Sequence, residues 1–315
     1  RKTLGSHGSQ SKAKTMLRES LQALYAVFAC AAAGCLMALA LLEWRAVKAR
    51  AASAAALFGL LFVAASAGAL LAQFGRPAMV FAAFANPGSA IFRELASIVL
   101  AFIAGSVYWL ALFSGAKAAT MRRLGSAAAF AGLVLALACG SSLVMSWRPA
   151  WNTWTLVLPS AGFAGLAAAA AVFAGEARSL GLGLAGSGAA LSRIRAAEAA
   201  ACGAGERSVG VHSSQVLFGA LLPLLGIGCY FAALVLANGG AWAQCLTTLF
   251  SGEGAMLFAG GTLGLGVVVP ALGLWLARGR VRQAAAGAAL FWAALAFLAA
   301  SMGAGCWHRA VLLLG

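Results

Sequence analysis

Eight separated apolar runs, each about twenty residues long, constrain this chain more than any other feature. They are residues 20–43, 53–72, 94–115, 124–147, 153–175, 214–237, 254–277 and 284–303. About 20 apolar residues at 1.5 Å each cross the ~30 Å hydrocarbon layer of a bilayer. Inside that layer backbone N–H and C=O groups must pair with each other, which leaves helices or closed barrels. Barrel strands alternate apolar and polar positions, whereas these runs are continuous in Leu, Ala, Val and Phe. The expected fold class is therefore all-α: a polytopic membrane protein built as a bundle of eight transmembrane helices. Composition agrees, with 63% hydrophobic and 9% charged residues against ~25% charged in soluble domains. A soluble enzyme, a disulfide scaffold and a disordered binder are excluded together.

Charge, Gly and Pro supply the breaks, as at Arg76-Pro77, Asn86-Pro87-Gly88, Arg148-Pro149 and Asn238-Gly239-Gly240. The implied organisation is a basic tail 1–19, a transmembrane domain 20–303 with a long loop 176–213, and a C-terminal tail 304–315. Arg1 in the place of Met implies that the chain begins after its translation start. The apolar run to Leu42 is too long for the core of a secretory signal, and no convincing cleavage site follows it. Ala32-Ala33-Gly34-Cys35 is a faint lipoprotein-type box that reads better as part of an ordinary first span.

The chain carries 22 Lys+Arg against seven Glu and no Asp, a net charge of +15. In a soluble domain such an excess points to nucleic acid. Here the bases lie between apolar runs, where topology and anionic head groups account for them and nucleic acid is not an expected partner. The loops after runs one, three, five and seven hold thirteen Lys and Arg, and those after two, four and six with the C-terminal tail hold four. The positive-inside rule then puts the first set in the cytoplasm and both termini on the periplasmic side. The basic N-terminal tail dissents, and docking on a partner subunit is one role for it.

His7, His212 and His308 all fall outside the predicted spans, which leaves no paired intramembrane histidines to ligate a b-type haem. The seven Cys contain no C-x-x-C pair, so they read as small apolar fillers and not as ligands of clusters or zinc. Gly181 to Gly188 follows no strand and precedes no Lys-Ser/Thr, unlike a phosphate loop. Gly261, Gly264 and Gly266 read as sites of close helix packing.

The remaining polar residues gather in two patches that the topology brings to one membrane face. The first runs through Gln73-Phe74-Gly75-Arg76-Pro77, Asn86-Pro87-Gly88 and Arg93-Glu94; the second is Trp147 to Trp154. Glu94 is the one acid in either patch. An ionisable side chain at membrane depth is costly and tends to line a functional cavity. A second role also fits: an N-terminal carboxylate favoured by the helix dipole and paired with Arg76 or Arg93. Trp147, Trp151 and Trp154 equally suit an interfacial aromatic belt, and Arg148 can snorkel.

At these residues the chain resembles the membrane anchor subunit of dimethyl sulfoxide reductase-type molybdopterin oxidoreductases, and more distantly the polysulfide reductase membrane-subunit group. That family has eight spans and a His-Leu-Gly-x-Pro-like motif after the second, read here as Gln73-Phe74-Gly75-Arg76-Pro77. An alternation leading to an Asn is similar to Ala78–Asn86. Ser-x-x-x-x-Glu before the third span is matched by Ser89 to Glu94, and Pro-Ala-Trp-Asn between spans four and five by Pro149 to Asn152. The layout covers most of the chain, and the residue match covers these two patches.

The resemblance implies a haem-free anchor in the bacterial inner membrane that oxidises menaquinol or ubiquinol in anaerobic-type respiration. Its partners would be a four-cluster iron–sulfur subunit, which receives the electrons, and a molybdopterin catalytic subunit, which acts on the terminal acceptor. Glu94 is then the expected catalytic base for the quinol hydroxyl. Gln73, Arg76, Arg93, Trp151 and Asn152 are the expected quinone-binding residues. Arg76 would stabilise developing negative charge, Gln73 would bond a quinone oxygen, and Trp151 with Asn152 would wall the ring. The chain departs from the family at Gln73, which replaces a His and cannot shuttle a proton. It departs again in the last span, where Ser301 to Gly305 lacks the family's Glu and Arg. Two other classes are a structural anchor without a working quinone site and a small-solute transporter gated by Glu94 and Arg76.

Overall fold

A computed structural model of the chain describes residues 4–45, 49–73, 83–144, 151–185, 204–237, 241–282 and 285–314. Among these residues all regular structure is helical. In chain order the elements are α1 (Leu4–Trp44), α2 (Ala49–Gln73), α3 (Ala90–Phe113), α4 (Ala118–Ser141), a 3₁₀ turn (Trp154–Leu156) leading into α5 (Val157–Ala185), α6 (Ala204–Ala237) and α7 (Ala241–Leu249). Then α8 (Gly252–Ala255) continues through a π-helical stretch (Met256–Val268) into α9 (Val269–Arg282), and α10 (Ala286–Leu313) closes the fold. Among the described residues, eight helical segments are long and apolar enough to cross a membrane, beginning with Met16–Trp44 and ending with Ala286–Leu313. The all-α, eight-span architecture is as the hydropathy pattern requires.

α1 and α5 are the most buried of the eight. α1 packs against α2, α4, α5 and α10, while α5 also holds α6 and α10. Lipid tails are as apolar as Leu, so close approach and dispersion hold such helices together. Small residues make that approach possible. A Cβ on Gly162 of α5 would stand 2.5 Å from the Cα of Pro223 in α6, and one on Gly140 of α4 would stand 2.6 Å from the Cα of Val157. In the seventh span, a Cβ on Gly261 would meet Cys306 and one on Gly266 would meet Gly303, both on α10. Gly261 and Gly266 are thus contact points, as their sequence spacing predicts. The same stretch opens into π-helical geometry, with Thr262 Oγ1 donating to the Leu257 carbonyl five residues back at 3.0 Å.

Several boundaries differ from the sequence reading, among them the N-terminal tail, the long loop and the end of the last span. α1 starts at Leu4, so most of the predicted tail 1–19 continues the first helix as backbone. α5 runs on to Ala185 and α6 starts at Ala204, which shortens the predicted loop 176–213; residues 186–203 lie outside the described residues. The eighth helix continues ten residues past 303, to Leu313. The added turns are apolar apart from His308 and Arg309. Arg309 pairs with Glu19 at 3.3 Å and Glu253 at 3.6 Å, pinning these turns to the starts of the first and seventh spans. His308 therefore lies inside the last span and is fully buried. The expectation that every histidine falls outside the spans is corrected on this point.

Candidate functional site

Sequential spans run antiparallel, so the end of α2, the start of α3, the end of α4 and the start of α5 meet at one end of the bundle. This is the polar end. Ser89 shapes its key turn. With φ −71° and ψ 148° it caps α3, its Oγ accepting from the Phe92 amide at 3.1 Å, which satisfies a donor with no partner inside the helix. The cap starts α3 four residues earlier than the hydropathy run predicts. Glu94 consequently sits more than one turn inside the helix and not at its first residue. The helix dipole fades beyond the first turn, so burial in the bundle, not capping, defines its setting.

Glu94 is 5% exposed. Its own carbonyl accepts from Ser97 Oγ at 2.7 Å. Ser142 lies beside the carboxyl, and its hydroxyl donates to the Cys139 carbonyl at 2.7 Å. Tyr25 of α1 and Cys139 of α4 lie within electrostatic reach of the carboxyl. Behind them His308 Nε2 is 3.3 Å from the Cys139 carbonyl and 3.6 Å from its Sγ, while Nδ1 is 3.2 Å from the Ala304 carbonyl. A neutral imidazole has one N–H, so it can satisfy one of those two carbonyls. Cys30 Sγ donates to the Ser160 carbonyl at 3.6 Å. The Tyr25 and Ser160 hydroxyls are buried without a hydrogen-bond partner among the described residues. Glu94 thus faces a polar core shared by α1, α4, α5 and α10.

Four other acids, Glu19, Glu43, Glu176 and Glu253, have cationic or hydroxyl partners. Glu176 pairs with Arg45 at 2.6 Å, Glu19 and Glu253 pair with Arg309, and Glu43 accepts from the Tyr108 hydroxyl at 2.5 Å. Among the described residues no Lys or Arg stands within ion-pair distance of Glu94. Arg93, its neighbour in sequence, is within electrostatic reach of the carboxyl but beyond ion-pair distance, and it places its guanidinium carbon 5.7 Å from the centroid of the Trp154 ring, a cation–π geometry. Arg93 is half-buried and its Nε has no hydrogen-bond partner among the described residues.

The remaining expected site residues divide. Gln73 is the last residue of α2, half-buried, with a buried Nε2 that lacks a partner among the described residues. Arg76, with the rest of the Phe74–Pro77 motif, lies outside the described residues, as does Pro149-Ala150. Trp151 is 3% exposed and its indole N–H donates to the Val311 carbonyl at 3.0 Å. It anchors the connection between α4 and α5 to the end of α10, while Asn152 beside it is exposed. Trp154, 64% exposed, is the aromatic that stands by Arg93. Gln73, Arg93, Glu94, Trp151 and Asn152 therefore share the polar end, with Glu94 the most deeply set carboxyl.

The sequence carries no signal that Tyr25, Ser142 and Cys139 neighbour Glu94, or that His308 stands behind Cys139. Tyr25 is an isolated hydroxyl in an apolar helix, and such a residue is a cue that needs a partner to interpret. Ser142 and His308 are more than 160 residues apart in sequence, and no spacing rule connects them. Among the described residues no group of three His, Cys or carboxylate side chains is arranged to hold a metal. The six described cysteines are unpaired. Comparison with known families finds no match to this chain, and no curated protein matches it.

Proposed function

We propose that this chain is the haem-free membrane anchor of a molybdopterin oxidoreductase complex and oxidises quinol at the polar end of its bundle. The observation that carries the reading is Glu94: a buried carboxyl with no cation at ion-pair distance among the described residues, five residues after the serine that caps its helix. The motif around it supports the same reading, with Ser89 to Glu94 and Pro149 to Asn152 similar to the anchor family. In this reading the polar end faces the periplasm, the basic loops face the cytoplasm, and the membrane is the bacterial inner membrane.

Quinol oxidation releases two electrons and two protons. The Glu94 carboxylate takes the proton of one hydroxyl within hydrogen-bond reach, and the second leaves to water at the same end. The electrons pass to an iron–sulfur cluster in a partner subunit and on to a molybdopterin subunit, where the terminal acceptor is reduced. Gln73 offers an amide with an unused donor to a quinone oxygen. Arg93, set against Trp154, and Arg76 supply positive charge that stabilises an oxygen losing its proton. Asn152 borders the ring. Trp151 acts through the backbone it holds.

The test is Glu94→Gln in the intact complex. Quinol-linked turnover should fall by roughly 100-fold or more, while subunit assembly and turnover with an artificial donor to the catalytic subunit persist. Unchanged quinol turnover in the variant would favour a purely structural anchor, a reading that gains weight from Gln73 in place of the family's His. Purification of the chain alone, active in solute flux, would favour a transporter.

A further inference from the structure

A cavity of about 300 Å³ opens at the other end of the bundle, between α2 and α10, with α1 and α5 as its floor. Both walls pack on α1 but scarcely on each other. Small side chains make the slot, among them Ala54 and Ala55 of α2, Ala174 and Gly175 of α5, and Ala294 of α10. Phe58 and Leu298, 52% and 54% exposed, form rims that face the lipid. At depth the Phe62 and Phe297 rings close the slot, their centroids 5.9 Å apart. Its single charged lining residue is Arg178, exposed and at the end of the fifth span.

We infer that this slot holds one acyl chain of an anionic phospholipid, with the phosphate on Arg178. Length supports a lipid chain. From Ala51 to Phe62 the α2 wall is about 16 Å long at 1.5 Å per residue, close to the ~15 Å of one leaflet's hydrocarbon. Charge selects the head group. The neighbouring Arg45 and Glu176 neutralise each other at 2.6 Å, while Arg178 has no ion pair among the described residues. A guanidinium at the head-group level attracts an anionic phosphate and binds it with two parallel hydrogen bonds. The lining offers a quinone head no other polar side chain, and Gln73 at the far end of α2 and Glu94 near the start of α3 lie at the opposite end of the bundle. The inference is therefore independent of the proposed quinol reaction.

Native mass spectrometry of the delipidated protein, titrated with phosphatidylglycerol and with phosphatidylcholine, reads the site directly. The wild type should take up one phosphatidylglycerol ahead of any other lipid. Arg178→Gln should cut the preference for phosphatidylglycerol over phosphatidylcholine by about fivefold, and Arg178→Lys should retain most of it. Ala174→Phe, which fills the slot, should abolish the first binding event for both lipids, with unchanged helicity by circular dichroism showing that the fold survives. Equal uptake of the two lipids by the wild type, no effect of either Arg178→Gln or Ala174→Phe, or a quinone as the tightly retained molecule would each overturn the inference. Loss of quinol turnover in Glu94→Gln bears on the other end of the bundle and leaves these results unaffected.

Discussion

Glu94 and Glu176 are both carboxylates near the end of a membrane span, yet their surroundings separate them. Glu176 has a guanidinium at 2.6 Å, and its side chain is 16% exposed. Its charge is balanced, and it serves to tie α5 to the end of α1. Glu94 has hydroxyls and thiols around it, with Arg93 beyond ion-pair distance, and a carboxyl so placed can exchange a proton without breaking an ion pair. Ser142 is a polar neighbour that can be removed without altering that carboxyl. Its proton goes to the Cys139 carbonyl, which leaves its oxygen to accept from the protonated acid. Ser142→Ala is expected to lower quinol-linked turnover by about 2–10-fold, the worth of one net hydrogen bond, and to leave artificial-donor turnover of the complex intact. Steady-state kinetics with both donors separates this from a folding defect, which would lower the two rates together.

At the scale of the helix, two kinds of local feature set the geometry of the site. The first is the Ser89 cap. Replacing it with Ala removes the acceptor for the Phe92 amide, at a cost of about 1 kcal/mol. Thermal unfolding in detergent should show this loss, and hydrogen exchange should show it confined to the first turns of α3. The second is backbone contact through glycine. At Gly162 a side chain would run into the backbone of Leu222 and Pro223, so Gly162→Leu should force α5 and α6 apart and lower the yield of monodisperse protein, with a cost of about 1–3 kcal/mol or more. Gly228, within α6, has nothing within 4 Å of an added Cβ. Gly228→Ala is expected to be neutral or slightly stabilising, by up to ~1 kcal/mol from helix propensity. A thermal-shift comparison of the two variants checks the pair.

At the scale of the whole molecule, the bundle has two unlike ends. One gathers Gln73, Arg93, Glu94, Trp151, Asn152 and the Arg309 pairs; the other gathers Arg45, Glu176, Arg178 and the apolar slot. Under the positive-inside rule, a reporter that is active only in the periplasm should be active when fused after Gly315 and silent when fused after Arg282. A purified complex is expected to contain iron and molybdenum with no haem Soret band, checked by metal analysis and absorbance. A Soret band in the complex would bring His308, buried within a span, back into question as a ligand.

Much of this architecture was legible in the sequence because the hydrocarbon layer tests one local property: twenty residues are apolar enough to cross or they are not. The number of spans, their order, and the gathering of the Glu94 and Trp151 patches at one end all follow from counting along the chain. Boundaries were less legible. The Ser89 cap and the Arg309 pairs decide where α3 starts and how far α10 runs, and neither is a matter of hydropathy. The surroundings of Glu94 were beyond sequence reasoning altogether. Tyr25 and Ser142 reach it from different helices, and His308 stands behind them against Cys139, through packing that depends on glycine contacts between non-sequential spans, such as Gly132 against Ala33 and Gly305 against Val27. Linear apolarity determined that this is a polytopic membrane protein with eight helices long and apolar enough to span. Which polar side chains then share its dry interior was decided by helix-to-helix contact, because a buried hydroxyl or imidazole takes its partner from whatever the neighbouring helix presents.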